Sequence, residues 1–218
     1  MSDSTGGSEP CFAHELIDGH PVDPQTAKDV ARFRTRERAR LYEMRRSTSQ
    51  SDNAQMAQVV GAELDRLINA PQGQNIAVYW PIRGEMDLRP WMTKAHEAGA
   101  NIALPVVLKK GQPLEFRPWA PRCKMERGIW NIPVPVDGDA VQPDIVISAV
   151  LGIDNQLYRL GNGGGYYDRT LAAMDKLPWV IGVGQPFARM KSIFPLPWDI
   201  PMQTVVLGDG SVQGHIPN

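Results

Sequence analysis

The chain has 218 residues, of which 42% are hydrophobic and 22% charged, a balance typical of a globular domain and not of a disordered segment. Its 23 basic and 24 acidic residues give a net charge of −1, which disfavours a generally basic nucleic-acid-binding protein. The mean hydropathy is −0.31 and no long apolar run occurs, so we expect neither a membrane span nor a membrane partner.

The N-terminal segment differs from the rest of the chain. Residues 1–26 are polar and aperiodic, which predicts a mobile arm or a strap over the domain surface. They lack the basic stretch and apolar core of a secretory signal, and Cys11 and Cys123 have no metal-binding or redox spacing. We therefore expect a reduced, cytoplasmic protein. No linker or repeat divides residues 27–218, which we expect to form one domain.

Residues 27–48 are predicted to form an arginine-rich amphipathic helix. At 100° per residue, Val30, Phe33, Leu41 and Met44 fall on one apolar stripe. Two arginine rows accompany the stripe. The first, along one flank, contains Arg34, Arg38 and Arg45, and the second, farther round the helix, contains Arg32, Arg36 and Arg40.

The remaining elements alternate between strands and helices. A helix is predicted over 52–70, followed by a strand over 75–80, a helix over 87–98, a strand over 101–104 that stops at Pro105, and strands over 114–117 and 144–150. A helix over 165–176 and strands over 179–183 and 204–207 complete the chain. This alternation predicts an α/β fold: a single three-layer, Rossmann-like domain with a largely parallel central sheet flanked by helices. Ligands of such sheets bind beyond the carboxyl ends of the strands.

A glycine cluster follows the strand at 144–150. Gly161, Gly163, Gly164 and Gly165 fall within five residues, directly before a predicted helix. Glycines let backbone N–H groups approach a ligand closely, so the segment predicts an anion site, with phosphate as the expected anion. The dinucleotide and P-loop patterns do not fit, since Tyr166 stands at the third glycine and no Lys-Ser/Thr follows. A turn that merely caps the helix is the alternative.

Charged residues flank the cluster. Arg159 offers a guanidinium fork for phosphate oxygens. Asp168 offers a carboxylate for Mg²⁺, or, alternatively, an acid that complements the helix dipole.

Four segments resemble, in order, the motifs of the 5-formyltetrahydrofolate cyclo-ligases, and the resemblance covers residues 30–207. They are Tyr79-Trp-Pro-Ile-Arg-Gly-Glu-Met-Asp87, Trp130-Asn-Ile-Pro-Val-Pro135, Arg159-Leu-Gly-Asn-Gly-Gly-Gly-Tyr-Tyr-Asp168 and Trp198-Asp-Ile-Pro201. The resemblance implies ATP-dependent conversion of 5-formyltetrahydrofolate to 5,10-methenyltetrahydrofolate with release of ADP and phosphate. The formyl oxygen is phosphorylated in this reaction, a step that needs positioning and charge neutralisation more than a protein nucleophile.

The resemblance also implies roles for individual residues. Arg159 and Tyr167 are catalytic, Asp168 and Asp199 hold Mg²⁺, and Trp80, Glu85, Trp130 and Tyr166 bind the folate. ATP binds to Arg34, Arg38, Arg159, Leu160, Gly161, Asn162, Gly163, Gly164, Gly165, Tyr166 and Tyr167. The partners are then ATP and a reduced folate, not nucleic acid, and we expect a monomer.

Structural alternatives stand beside these roles. The structural alternative is burial in the core for Trp80, a solvated loop for Glu85, a turn before Pro201 for Asp199, and a solvated helix face for the arginines. Arg36 and Arg40 compete with Arg34 and Arg38 for the ATP site.

The sequence also departs from the family pattern. Arg34, or Thr35 if the register shifts, stands for a lysine of the first helix, and Trp198 stands for a histidine that many members have. Asn162 and Gly164 occupy positions that are basic in some members. Two other functions therefore remain open: a nucleotide-binding paralogue acting on another small molecule, and a nucleic-acid-binding module using the arginine helix.

Overall fold

A seven-stranded sheet organises the part of the chain that the computed structural model describes, residues 15–17 and 19–215. Most of the predicted N-terminal arm lies outside the described residues. The helices are α1 (Pro24–Ser47), α2 (Gln50–Leu67), α3 (Arg89–Glu97) and α4 (Tyr166–Ala172). The strands are β1 (Glu15–Ile17), β2 (His20–Val22), β3 (Asn75–Val78), β4 (Asn101–Val106), β5 (Glu115–Pro118), β6 (Met125–Arg127), β7 (Pro133–Pro135), β8 (Ile145–Ala149), β9 (Gly152–Ile153), β10 (Arg159–Leu160), β11 (Trp179–Gly184), β12 (Thr204–Leu207) and β13 (Val212–Gly214).

The strand order is β13-β12-β11-β8-β3-β4-β5. Strands β12, β11, β8, β3 and β4 are mutually parallel, while β13 and β5 close the two edges in antiparallel pairing. In chain order, β4 and β5 are added on one side of β3, and β8, β11, β12 and β13 are then added on its other side. The boundary between β3 and β8 is therefore the topological switch point, where open α/β sheets bind ligands.

Both faces of the sheet are buried, which confirms the predicted three-layer α/β architecture. Ile76 and Val78 of β3 belong to the core cluster on the side of α2 and α3, whereas Ala77 belongs to the core cluster on the side of α4. Side chains of a strand alternate between faces, and a parallel sheet covered on both sides consists of nearly continuous apolar strands. This is the pattern that β3 and β8 show in the sequence.

Helix α1 packs over the carboxyl end of the sheet. Its Leu41 is fully buried against Leu151 just after β8, Leu160 of β10, and Ile193 in the segment between β11 and β12. The helix begins at Pro24 and not at residue 27, because Asp23 caps it by accepting hydrogen bonds from the backbone N–H groups of the first turn. Residues 24–26 of the predicted arm are thus helical.

Several predicted boundaries were wrong. Strand β4 passes through Pro105 to Val106, because beyond Ala103 it pairs only with β5 and needs no N–H toward β3. Helix α4 ends at Ala172 instead of residue 176. The short pairs β1–β2, β6–β7 and β9–β10 and the edge strand β13 were not predicted, since strands of two or three residues have little periodicity. Within the described ranges, no helix combines the length and apolar character needed to cross a membrane.

Candidate functional site

A cavity of about 990 Å³ opens beyond the carboxyl ends of β3 and β8, at the switch point. Most of its walls come from α1, the loop after β3, the turn between β6 and β7, the segment from β10 to α4, and the loop before β12. They bring together nearly all the predicted site residues: Arg34, Arg38, Trp80, Glu85, Trp130, Arg159, Gly161, Asn162, Gly163, Gly164, Gly165, Tyr166, Tyr167, Asp168 and Asp199. Leu160 is the exception, because its side chain is buried in the core beside Leu41.

The glycine loop leaves β10 and enters α4 through two left-handed residues. Gly163 has φ +98° and Gly165, the residue before α4, has φ +62°. A side chain at Gly163 would contact the Arg38 guanidinium, and one at Gly164 would overlap the Tyr166 ring at 2.6 Å. These positions therefore need glycine for conformational and steric reasons, and they leave the loop backbone open to the cavity.

Two arginines of α1 reach the cavity from one flank of the helix. Arg38 donates a hydrogen bond from Nε to the Gly161 carbonyl at 2.8 Å, and burial lowers its pKa. Arg34 donates to both Asp199 oxygens and to the backbone carbonyls of Ile193 and Phe194. The competing arginines, Arg36 and Arg40, point away: they are exposed and do not line the cavity.

Arg159 is a buried cation with spare hydrogen-bonding capacity. It is 8% exposed and donates from one terminal nitrogen to Asp168 Oδ1 at 2.6 Å. Its guanidinium carbon lies 5.4 Å from the centre of the Tyr167 ring. The other terminal nitrogen, NH1, is buried without a hydrogen-bond partner among the described residues. A buried guanidinium donor without an acceptor is destabilising, so this atom suits an oxygen of a bound anion.

The two predicted metal ligands, Asp168 and Asp199, differ in how many of their carboxylate oxygens already accept hydrogen bonds. Asp199 has both oxygens engaged, by Arg34 and by the Leu196 N–H. Among the described residues, Asp168 has hydrogen bonds only at Oδ1, which accepts from Arg159 and from the Ile200 N–H. The described residues contain no cluster of three acidic, histidine or cysteine side chains suited to a metal.

Glu85 is a buried acid that lines the cavity from the loop after β3. Its side chain is 7% exposed, its Oε2 accepts from the Ile82 N–H at 3.0 Å, and the Asn162 side chain also donates to it. Burial is the main reason that the pKa of Glu85 lies above its ordinary value. The same burial raises the pKa of Tyr79 and Tyr167, which keeps both phenols neutral.

Aromatic rings form the neighbouring wall. Trp130 is 54% exposed and packs edge-to-face on Tyr166, with 5.4 Å between ring centres. Trp130 has φ +56° and Asn131 φ +61°, so the tryptophan stands on left-handed backbone that is costly for a bulky residue. The half-buried Trp80 lines the cavity, and the guanidinium carbon of Arg89 lies 5.1 Å from the centre of its ring. The cavity thus has an exposed aromatic surface beside a buried acid.

Two polar residues beneath the cavity were missed by sequence reasoning: Arg45 and Gln185 are 3% and 1% exposed. Arg45 shares the flank of α1 with Arg34 and Arg38, and this signal was present in the sequence. Gln185 had no such signal, because its role depends on the end of β11 lying beside the loop after β3.

The outer arginines of α1 have local partners. Arg32, Arg40 and Arg46 each pair with an acid three residues earlier, Asp29, Glu37 and Glu43 respectively. These acids reduce the positive potential of the exposed face, which does not favour a polyanion-binding helix.

The chain is similar to proteins of one family. The model of the 5-formyltetrahydrofolate cyclo-ligase family matches residues 30–208. 5-Formyltetrahydrofolate cyclo-ligase of Haemophilus influenzae is 26% identical over 180 residues, 78% of this chain and 95% of that protein. The protein of the same name from Escherichia coli K12 is 26% identical over 174 residues, 76% and 95% of the two chains.

Solved structures agree in fold. The 5,10-methenyltetrahydrofolate synthetase of Aquifex aeolicus superposes with a TM-score of 0.72 at 26% identity, covering 83% of this chain and 92% of its own. The Mycoplasma pneumoniae enzyme of that name gives a TM-score of 0.65 at 19% identity, covering 79% and 96%, and supports the fold alone.

Proposed function

The chain belongs to the 5-formyltetrahydrofolate cyclo-ligase family, and on this premise we propose that it closes 5-formyltetrahydrofolate to 5,10-methenyltetrahydrofolate with consumption of ATP. The observation that carries the proposal is that a single cavity is lined by two chemically different groups of residues. One group, the phosphate wall, consists of arginines and a glycine backbone suited to phosphates, and the other consists of a buried carboxylate and aromatic rings.

The phosphate wall accounts for the ATP-dependent half of the reaction. Arg38, Arg159 and residues 161–165 line the cavity, and the Arg159 donor that has no acceptor among the described residues marks a position for an anionic oxygen. We propose that these groups hold the triphosphate with its terminal phosphorus in line with the formyl oxygen. Such positioning with charge neutralisation is the main contribution of proteins to phosphoryl transfer.

The other wall accounts for the folate-dependent half. The Glu85 carboxylate accepts hydrogen bonds from N–H groups of the pterin, and Trp80, Trp130 and Tyr166 provide apolar surface for its ring system. The formyl group then lies between the two walls. This arrangement brings the two substrates together without a covalent link to the protein.

The reaction balances with the two substrates alone. The formyl oxygen attacks the terminal phosphorus of ATP, ADP leaves, and the formyl carbon becomes part of an activated iminium phosphate. N10 attacks that carbon and loses its proton, and the C–O bond then breaks to release phosphate. We propose that the half-buried Tyr167 and the buried Arg159, whose guanidinium carbon lies 5.4 Å from the centre of the Tyr167 ring, exclude water from the activated carbon.

We propose that Mg²⁺ enters with ATP and that Asp168 is its protein ligand. Oδ2 of Asp168 fits this role because it has no hydrogen-bond partner in the described part of the chain, and Mg²⁺ commonly takes one or two carboxylates and completes its shell with phosphates and water. Both Asp199 oxygens are already engaged, so Asp199 fits only if Arg34 releases it. When bound, Mg²⁺ neutralises charge on the phosphates.

Purified protein incubated with ATP, Mg²⁺ and 5-formyltetrahydrofolate tests the proposal. We expect the methenyl chromophore to appear in step with ADP. An absorbance trace that stays flat contradicts the proposal, and phosphate release without the chromophore favours a nucleotide-hydrolysing paralogue. Arg38→Ala should raise KM for ATP because it removes a cation from the cavity, whereas Arg36→Ala, the matched control, removes a charge from the same helix outside the cavity and should leave KM for ATP unchanged.

We propose that the enzyme acts as a monomer in the cytoplasm. One chain supplies every wall of the cavity, which supports a monomeric site. The proposed substrates, ATP and a reduced folate, support the cytoplasmic location.

A further inference from the structure

Arg45 joins three segments that leave the carboxyl end of the sheet. Its side chain is 1% exposed. NH2 donates to the Val150 carbonyl, just after β8, at 2.8 Å, and Nε donates to Gln185 Oε1, just after β11, at 3.3 Å. NH1 lies 3.8 Å from Glu85 Oε1, in the loop after β3. Arg45 therefore lies at the switch point, directly beneath the cavity.

Gln185 extends this contact to the loop that carries Glu85. Its Nε2 donates to the Gly84 carbonyl at 3.1 Å and to Asn53 Oδ1 at 3.5 Å. Gly84 has φ +77°, and a Cβ there would lie 3.2 Å from Arg45 Cγ. The loop backbone at Gly84 is thus fixed from one side by Gln185 and from the other by the aliphatic part of Arg45.

One nitrogen of Arg45 is left without a hydrogen bond. NH1 is buried and has no acceptor in the described part of the chain, although Glu85 is its nearest anion. At 3.8 Å the two groups attract each other electrostatically without sharing a hydrogen bond. A small movement of the Glu85 carboxylate on substrate binding would satisfy this donor.

We propose that Arg45 is a positioning residue that orients the Glu85 carboxylate toward the cavity and supplies its counter-charge. The inference rests on the proposed function, because it takes Glu85 as the carboxylate that receives the pterin N–H groups. Arg45 itself lies behind Glu85 and does not line the cavity. It acts through Glu85 and not on the reacting atoms.

Other groups that face Glu85 do not replace Arg45. Arg83, on the same loop, is exposed and its charge is screened by solvent. Tyr79 at the end of β3 and Tyr167 of α4 are neutral, and Asp87, farther along the loop, pairs with Arg89. Asn162 of the glycine loop contributes a hydrogen bond but no charge. The Ile82 N–H bond and then the charge of Arg45 lower the Glu85 pKa against the larger opposing effect of burial, and Arg45 is the buried cation among these groups.

The first experiment uses the protein without substrates. Carbon-detected NMR titration of the Glu85 carboxyl group is compared among wild type, Arg45→Met and Arg46→Met, where Arg46 is the exposed neighbour on α1 and pairs with Glu43. We expect the Glu85 pKa to rise by about one unit in Arg45→Met and to stay unchanged in Arg46→Met. An unchanged value in both variants overturns the counter-charge role, whether or not the enzyme uses folate.

The second experiment separates positioning from a general structural defect. At pH 7 we expect Arg45→Met to raise KM for 5-formyltetrahydrofolate about tenfold, with KM for ATP within about twofold of wild type. In a Glu85→Gln background the Arg45 substitution should add little. Equal rises in both KM values, or an effect that persists in Glu85→Gln, overturn the inference.

Arg45→Lys provides a second test if Arg45→Met does not fold. Lysine retains the charge but lacks the fixed guanidinium fork with which Arg45 bonds Val150 and Gln185 from separate nitrogens, so an intermediate KM for folate is expected. Kinetics identical to wild type would overturn the positioning role. Wild-type protein that produces no methenyl product would instead contradict the proposed function, and the NMR titration would still decide the coupling between Arg45 and Glu85.

Discussion

Arg34 and Asp199 form an ion pair that joins the first helix to the loop before β12, with 2.5 Å between NH2 and Oδ2. Their side chains are 11% and 10% exposed, and Arg34 also holds two backbone carbonyls of the same loop. The pair therefore fixes one rim of the cavity as well as bringing a cation to it.

Replacing Arg34 by Met tests this double role. We expect the free energy of unfolding to fall by about 1–3 kcal/mol, because Asp199 and two carbonyls lose their donor in a largely buried place. KM for ATP should rise in parallel. Denaturant unfolding and ATP kinetics measure the two effects. Arg36→Met, on the exposed face, should change stability by less than about 0.5 kcal/mol.

Gly163→Val tests the glycine loop as the phosphate cradle. The residue has φ +98°, and its side chain would contact the Arg38 guanidinium, so we expect a large rise in KM for ATP. The strain should cost about 1–3 kcal/mol. Gly73→Val is the matched control, since it has φ +75° in open space away from the cavity. If both variants retain wild-type ATP kinetics, the loop does not hold the phosphates.

Asp168→Asn tests the proposed Mg²⁺ ligand. We expect the Mg²⁺ concentration for half-maximal activity to rise and kcat to fall, because a neutral amide is a weaker Mg²⁺ ligand than a carboxylate. A magnesium titration at saturating ATP measures the change. An unaltered titration would leave Asp168 with only its structural role toward Arg159 and the Ile200 N–H.

Substituting Trp130 should separate stability from folate binding. The residue is exposed and stands at φ +56°, so Trp130→Gly should relieve backbone strain and cause no loss of stability. KM for folate should nevertheless rise about tenfold or more through loss of stacking surface. Trp130→Phe should be intermediate. Equal folate kinetics in all three proteins would remove Trp130 from the folate site.

Glu85 should control the acid limb of the pH profile. Its pKa lies above the ordinary value because of burial, and only the ionised carboxylate accepts two pterin N–H bonds. As the pH falls through this raised pKa, kcat/KM for folate should therefore decline, and the decline should begin at a higher pH than an ordinary glutamate would give. KM for ATP should stay unchanged over the same pH range. Glu85→Gln should abolish this limb, and a limb that persists would assign it to another group.

Local sequence patterns predicted much of the fold. The apolar runs of β3 and β8 predicted buried strands because their burial on both faces requires continuous hydrophobicity. The flank that Arg34 and Arg38 share on α1 follows from helical geometry alone, and the structure places both at the cavity. The shortest strands, and the passage of β4 through Pro105, depend on which neighbours are present and leave no local signal.

The sequence by itself determined the alternation of strands and helices, the glycine loop and the family motifs, because these depend on residues close together in the chain. Tertiary structure decided which side chains meet: Leu160 enters the core, Asp199 binds Arg34, and Arg45 lies behind Glu85. Such pairs are separated by 40 to 165 positions, and only the packing of α1 across the switch point brings them into contact. Whether two such side chains are buried together and close enough to interact is a property of the folded chain, so local sequence patterns do not predict it.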